Sequence, residues 1–233
     1  MLLHGFTQTS ASWRPVRAAL GARYKAIAPD LPGHGSFAAR PASFSACDAY
    51  VRVLTRGPFA LAGYSMGGRI ALHAALSAGS RLTRLVLVAA GPGLADPAER
   101  AVRRRDDDAL ADRIERIGVD AFVREWSAQP LFAGIPRGVA EQGDADRRRN
   151  SAAGLAAALR GLGTGVMPPL WDRLVEVEVP VTLVVGERDA KFRDIAERMR
   201  AALPHARLVV VPGAGHALPL EAPDAVAAAL EAA

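Results

Sequence analysis

Three residues of this 233-residue chain have the types and settings for nucleophilic or proton-transfer chemistry: Ser65, Asp189 and His216. Ser65 lies in "FALAGYSMGGRIALHAAL", where a strand-like stretch ends at Gly63 and a run from Ile70 to Leu76 reads as a buried helix. The serine therefore falls on the turn between them. Its setting, Gly63-Tyr64-Ser65-Met66-Gly67, has the spacing G-x-S-x-G. Gly63, Gly67 and Gly68 lack a Cβ, which lets strand and helix approach closely and leaves the serine oxygen proud of a strained turn. Such strain costs on the order of 1–3 kcal/mol and collects at functional sites.

A serine hydroxyl is inert at neutral pH unless a base takes its proton, and the base needs a third group to fix its tautomer. Of the five histidines, His216 in "VPGAGHALPLEAP" follows directly on a buried strand, and Gly213 and Gly215 free its loop. Ligands of open α/β sheets bind at that carboxyl edge of the strands. Asp189, in "LVVGERDAKF", ends the preceding strand in the same way. Glu187 is its rival, because residues two apart on a strand share a face and only the loop's shape can separate them. The order Ser65, Asp189, His216 is that of α/β-hydrolase triads. His73 reads as a packing or surface residue, His205 as a polar-loop residue, and His4 and His34 as local loop residues. In this arrangement the amides of Met66, after the serine, and Phe6, in the "LLHGF" loop, are the candidate oxyanion donors.

The elements that must hold these groups alternate along the chain. "YKAIAPDL", "FALAG", "LTRLVLVAA", "PVTLVVGE" and "ARLVVVPG" read as buried strands, and "SWRPVRAALGA", "RIALHAALSAG", "FRDIAERMRAAL" and "PDAVAAALEAA" as helices. This alternation predicts an α/β fold, a mostly parallel sheet flanked by helices. It breaks between about Leu94 and Trp171, where "ADPAERAVRRRDDDALADRIERIG" and "RRRNSAAGLAAALRGLG" are charged and helical in pattern. The expectation is a single domain of 1–233, with core 1–93 and 171–233 and a helical cap over about 94–170.

Composition narrows the function. The net charge of +5 and the pI near 10.1 raise nucleic acid as a partner. However, the arginines are scattered, and Arg103-Arg104-Arg105 is answered at once by Asp106-Asp107-Asp108, the mark of a solvated helix face. A small anionic substrate is the better use of the arginine excess. One cysteine, Cys47, allows no intrachain disulfide and suits a small buried hydrophobe. The N-terminal stretch lacks the charged region of a signal peptide, and every apolar run is shorter than a membrane span, so a soluble, cytoplasmic protein without membrane insertion is expected. With no Cys/His cluster and no G-x-x-G continuation after "GPG" at 91–93, neither metal nor organic cofactor is expected.

Together "LLHGF", "APDLPGHG", "GYSMGG", "GERD" and "GAGH" resemble the α/β-hydrolase superfamily over essentially the whole chain. More specifically, "GYSMGGRIAL", "WSAQPLF", "GLAAALRGLGTG" and "GERDAKF" resemble the menaquinone-pathway family of 2-succinyl-6-hydroxy-2,4-cyclohexadiene-1-carboxylate synthases. The resemblance implies a lyase that eliminates pyruvate from a tricarboxylic cyclohexene, with serine acting as base and no acyl-enzyme. It assigns substrate contacts to Tyr64, Arg69, Arg103, Trp126 and Arg149, with the neighbours in the 103–105 and 147–149 arginine runs left open. Members of the family usually carry a strand pair before the "LLHGF" strand, so the resemblance implies a sheet missing its N-terminal strand pair, with an exposed edge. It also marks Gln8 as a large residue that would narrow the mouth. An esterase, thioesterase or carbon–carbon hydrolase using Ser65 as nucleophile, and a non-catalytic binding protein on the same scaffold, are the rivals. The oligomeric state is unassigned.

Overall fold

The computed structural model describes residues 1–132 and 134–232. Valine- and leucine-rich stretches bounded by turns form five strands: β1 (Leu2–Leu3), β2 (Phe59–Tyr64), β3 (Leu82–Val88), β4 (Val181–Gly186) and β5 (Ala206–Val211). They lie side by side in chain order, and every neighbouring pair is parallel. Parallel neighbours need crossover connections, and the helices supply them. These are α1 (Arg14–Leu20), α2 (Phe44–Leu54), α3 (Met66–Ala78), α4 (Pro97–Ser127), α5 (Arg137–Arg147), α6 (Ala152–Leu162), α7 (Ala190–Ala202), α8 (Leu218–Glu221) and α9 (Pro223–Glu231).

The period of two along each strand divides the core. Leu61, Leu85, Leu87, Leu183 and Val185 pack with Cys47 and Val51 of α2, Ile70 and Leu72 of α3, and Met199 of α7. The alternate residues Ala62, Val86, Val88 and Val184 pack with Val16 and Leu20 of α1 and Val226 and Ala229 of α9. Each fully buried Leu or Val contributes roughly 1.5–3 kcal/mol, so helices on both faces suit strands apolar on both faces. Cys47 is fully buried, and burial raises its thiol to about 12.

Three helices, α4 to α6, fall between β3 and β4. Ala111, Ile114 and Phe122 of α4 meet Leu155, Ala156 and Leu159 of α6 in a separate small core. Helix α4 changes direction at Gly118, whose φ of 76° breaks the helical backbone and lets both halves face α6.

The strand expected over "YKAIAPDL" does not form. Leu2 N donates to Ile27 O at 2.8 Å, and this single bond makes no ladder. Tyr24 and Ile27 stay 41% and 39% exposed, so the segment lacks the burial that holds a parallel strand. β1, at one end of the sheet, is only two residues long and ladders with β2. β5 is less buried than expected, with Val210 41% exposed at the opposite edge.

Candidate active site

The register aligns the carboxyl ends of the central strands, with Tyr64 opposite Val88 and Val88 opposite Val184. Ser65 follows at that edge with φ 50° and ψ −110°, a conformation that side chains rarely adopt. It is held because strand and helix are locked together behind it. A Cβ on Gly63 would lie 2.2 Å from Gly67 O, and one on Gly67 would lie 2.2 Å from Leu3 O. Ser65 N donates to Val88 O at 2.9 Å, which ties the turn to β3.

The three residues singled out first meet at this turn. His216 Nδ1 lies 2.6 Å from Asp189 Oδ2, and its Nε2 lies 3.3 Å from Ser65 Oγ. The carboxylate accepts the Nδ1–H, which leaves the Nε2 lone pair facing the serine hydroxyl. Both side chains of the His216–Asp189 pair are about 5% exposed or less, so water does not compete for the bond. The other oxygen of Asp189 caps α7 by accepting from Phe192 N at 3.4 Å, so the helix orients the carboxylate. Glu187 points elsewhere and accepts from Gly213 N at 2.8 Å. The Phe192 and Tyr64 rings pack 4.7 and 5.5 Å from the imidazole.

Opposite Ser65 lies the loop after β1. Phe6 lines the same cavity as Met66, and among the described residues neither amide donates to a backbone carbonyl. Met66 opens α3, where first-turn amides have no helical partner. Helix α5 and the residues after it grip the loop. Thr9 donates through its amide (3.0 Å) and hydroxyl to the buried Asp146 carboxylate, and Asn150 Nδ2 donates to Thr7 O at 2.6 Å. Thr7 itself has φ 69°. Gln8 does not narrow the mouth: it is buried, and its side-chain oxygen accepts from Gly5 N because the loop needs that bond internally. Behind the loop, His4 donates from Nδ1 to Gly5 O and accepts from Leu31 N at Nε2, so it is fully committed to structure.

The cavity holds about 490 Å³ and contains Ser65 and His216 in its lining. Tyr64, Arg69, Arg103 and Trp126 line it as well, and so does Lys191. Arg69 donates to Thr164 Oγ1 at 2.9 Å, and burial, with the nearby Arg103, pulls its guanidinium down to about 10. Arg103 Nε binds Asp107 Oδ1 at 2.8 Å. The Trp126 indole N–H is buried without a partner among the described residues.

Arg149 is exposed and does not line the cavity, unlike the other expected substrate contacts. Successive residues at the end of a helix point about 100° apart, and here the inward phase belongs to Arg147. Its side chain is 5% exposed, bonds Asp144 at 3.0 Å and lies 5.0 Å over the Phe132 ring that lines the cavity. Arg147 belongs to the run whose contact the sequence left open, whereas Lys191 escaped the reading of the sequence. For Lys191 there was a signal, its place two residues after Asp189 at the start of α7. Among the described residues no cluster of His, Cys, Asp and Glu is arranged to hold a metal, and no helix is long and apolar enough to cross a membrane.

Comparison with known proteins agrees with this architecture. Residues 1–229 match the alpha/beta hydrolase family. A Klebsiella pneumoniae protein, 2-succinyl-6-hydroxy-2,4-cyclohexadiene-1-carboxylate synthase, is 33% identical over 235 residues, covering 99% of this chain and 91% of its own. A Bacillus subtilis (strain 168) protein that carries the same name provisionally is 43% identical over 166 residues, which span 70% of this chain and 61% of that protein's length. The solved structure of MenH from S. aureus superposes with a TM-score of 0.92 at 32% identity, covering 99% of this chain and 91% of that one. The chain belongs to the α/β hydrolase family, in the branch of the 2-succinyl-6-hydroxy-2,4-cyclohexadiene-1-carboxylate synthases.

Proposed function

We propose that the protein is a lyase of menaquinone biosynthesis. It eliminates pyruvate from 2-succinyl-5-enolpyruvyl-6-hydroxy-3-cyclohexene-1-carboxylate to give 2-succinyl-6-hydroxy-2,4-cyclohexadiene-1-carboxylate. The observation that carries this reading is one cavity in which the hydrogen-bonded Ser65, His216 and Asp189 face a lining that includes Arg69, Arg103 and Lys191. The substrate carries three carboxylates, and arginines meet carboxylates with charge-assisted, often bidentate bonds.

In this reading residues 1–93 and 171–233 are the core of a single cytoplasmic domain, and 94–170 are its cap. Comparing substrate with product, the ring loses the hydrogen beside the succinyl ketone and the carbon–oxygen bond to the enolpyruvyl group. His216 Nε2 draws the proton from Ser65, and the serine oxygen removes the ring proton. The electron pair moves through the ring double bond and expels the enolate of pyruvate, which takes the proton held on His216. Ser65 ends as the hydroxyl it began as, and no ester forms on it. Charge gathers meanwhile on the succinyl ketone oxygen, where the amides of Phe6 and Met66 are the donors. One such donor is worth ~3–4 kcal/mol in a transition state. Asp189 keeps His216 in the tautomer that presents Nε2 to the serine. Arg69 and Arg103 hold carboxylates, with Tyr64 and Trp126 shaping the cavity, while Arg147, which does not line it, backs the Phe132 ring that does.

The test is pyruvate release from enzymatically prepared substrate, read by a coupled dehydrogenase, for the native chain, Ser65→Ala and Arg69→Ala. Release that Ser65→Ala abolishes and Arg69→Ala weakens is expected. Folded protein that releases no pyruvate but hydrolyses activated esters with a burst would sink the lyase reading in favour of a hydrolase.

A further inference from the structure

The loop that carries His216 ends its two flanking amides on a single carboxylate. Gly215 N donates to Glu221 Oε2 at 2.9 Å, and Ala217 N donates to Glu221 Oε1 at 2.9 Å. Arg188, the residue before Asp189, donates to the same group from Nη2 at 3.0 Å. The Glu221 side chain is only 6% exposed. A carboxylate so buried is tolerated only when donors satisfy it, and these three do. The two loops are joined a second time where Arg188 N donates to Ala214 O at 2.9 Å. Glu221 is not part of the cavity lining, so its work is done on the residues that are.

We propose that Glu221 is a positioning residue that sets His216 between Asp189 and Ser65 by clamping the backbone on both sides of the imidazole. The proposal rests on the catalytic role given above to those three residues. The other bonds of the loop lie before the histidine, from Gly213 N to Glu187 at 2.8 Å and from Arg188 N to Ala214 O, so Glu221 is what holds the two amides that flank it. With both amides fixed, only side-chain rotation remains to His216, and Asp189 at 2.6 Å fixes that. The bond from Arg188 couples the clamp to the loop of the acid, so histidine and aspartate move as one unit. Misplacing a reacting group by 1 Å can cost about 100-fold in rate.

The substitution Glu221→Gln tests this, because the amide keeps one acceptor oxygen and turns an NH₂ group toward the other loop N–H. Two rates are measured. One is pyruvate release. The other is attack of Ser65 Oγ on the phosphorus of a fluorophosphonate, which expels fluoride and passes the serine proton to His216. Each should fall by ~10- to 100-fold, with KM for the substrate unchanged. The downfield proton resonance of the His216 Nδ1–H bond should broaden or shift. Arg188→Met, which spares both loop bonds, should give smaller changes in the same direction. Folded Glu221→Gln with native rates and a native resonance would overturn the proposal. If Glu221→Gln does not fold, an unchanged phosphonylation rate and resonance in Arg188→Met would overturn it equally. A native chain that is phosphonylated rapidly but releases no pyruvate would refute the lyase reading alone and leave the role of Glu221 to be read from phosphonylation.

Discussion

Replacing Arg69 with methionine should make the protein more stable and a much poorer enzyme. The side chain is partly buried, among the described residues its one side-chain hydrogen bond is to the neutral Thr164 hydroxyl, and burial lowers the guanidinium from its ordinary value above 12 to about 10. At ~1.4 kcal/mol per pH unit, holding that charge in the fold costs about 3 kcal/mol. The unfolded chain binds this proton more tightly than the folded one. The penalty is therefore fully present at neutral pH and is relieved only as pH rises through about 10. Methionine fills similar space without charge and forfeits the Thr164 bond, worth about 1 kcal/mol. The balance is a gain of about 2 kcal/mol, or a rise in Tm of about 4–8 °C for a chain of this size. The same substitution removes a charged contact to a substrate carboxylate, worth about 1.5–3 kcal/mol, so kcat/KM should fall by about 10- to 100-fold. Calorimetry and the pyruvate assay on one preparation of Arg69→Met measure both. A lower Tm with kcat/KM unchanged would refute the reasoning and make Arg69 a structural residue.

Four other substitutions can be read from the same structure. Ser65→Gly should relieve the backbone strain at φ 50°, raising stability by about 1 kcal/mol in urea titration while abolishing pyruvate release. Gly67→Ala would place a Cβ 2.2 Å from Leu3 O and 2.5 Å from His4 O, both backbone, so it should cost more than ~2 kcal/mol or prevent folding. Gly57→Ala, with nothing within 4 Å, should be silent in the same measurement. In acid, His34 is kept neutral down to about 3, chiefly by burial and next by His4, whereas the unfolded chain protonates near 6.5. Its share of stability is unaffected above about pH 6.5 and is lost at ~1.4 kcal/mol per pH unit below that, so urea titrations of His34→Gln should show a flatter acid limb. An equal slope in that variant would mean that His34 takes up its proton without unfolding.

What could be read from the sequence divides by how far a residue's place depends on packing. Ser65, Asp189 and His216 stand next to strands whose apolar runs are evident, and the carboxyl edge of a parallel sheet is where such residues must converge. The G-x-S-x-G spacing added a backbone requirement that only glycine meets. The "YKAIAPDL" segment failed for a complementary reason. Its apolar residues look like those of a strand, but a strand exists only with a neighbour, and among the described residues Leu2 N to Ile27 O is the one backbone bond joining it to β1. Composition records the propensity of a segment and says nothing of its pairing.

The insertion resisted for a different reason. Arg147, Arg148 and Arg149 are chemically the same residue, and a surface-facing helix end carries no apolar period to say which of them points inward. The outcome turned on a contact made elsewhere in the chain, the Phe132 ring 5.0 Å from the Arg147 guanidinium. Glu221 shows the same dependence more sharply. It lies five residues after His216 in an acidic and apolar stretch, where a glutamate ordinarily faces water. Only the short helix α8, turning the chain back, brings its carboxylate under the two amides that flank the histidine. Residues that react can be recognised by type and by the strand they end, because chemistry restricts the choice to a few side chains. Residues that aim them are chosen by where the backbone happens to return, and a carboxylate, an amide or a hydroxyl in the right place would satisfy the same loop. Their identification therefore belongs to the folded chain, and their test lies in rates and resonances at the groups they hold.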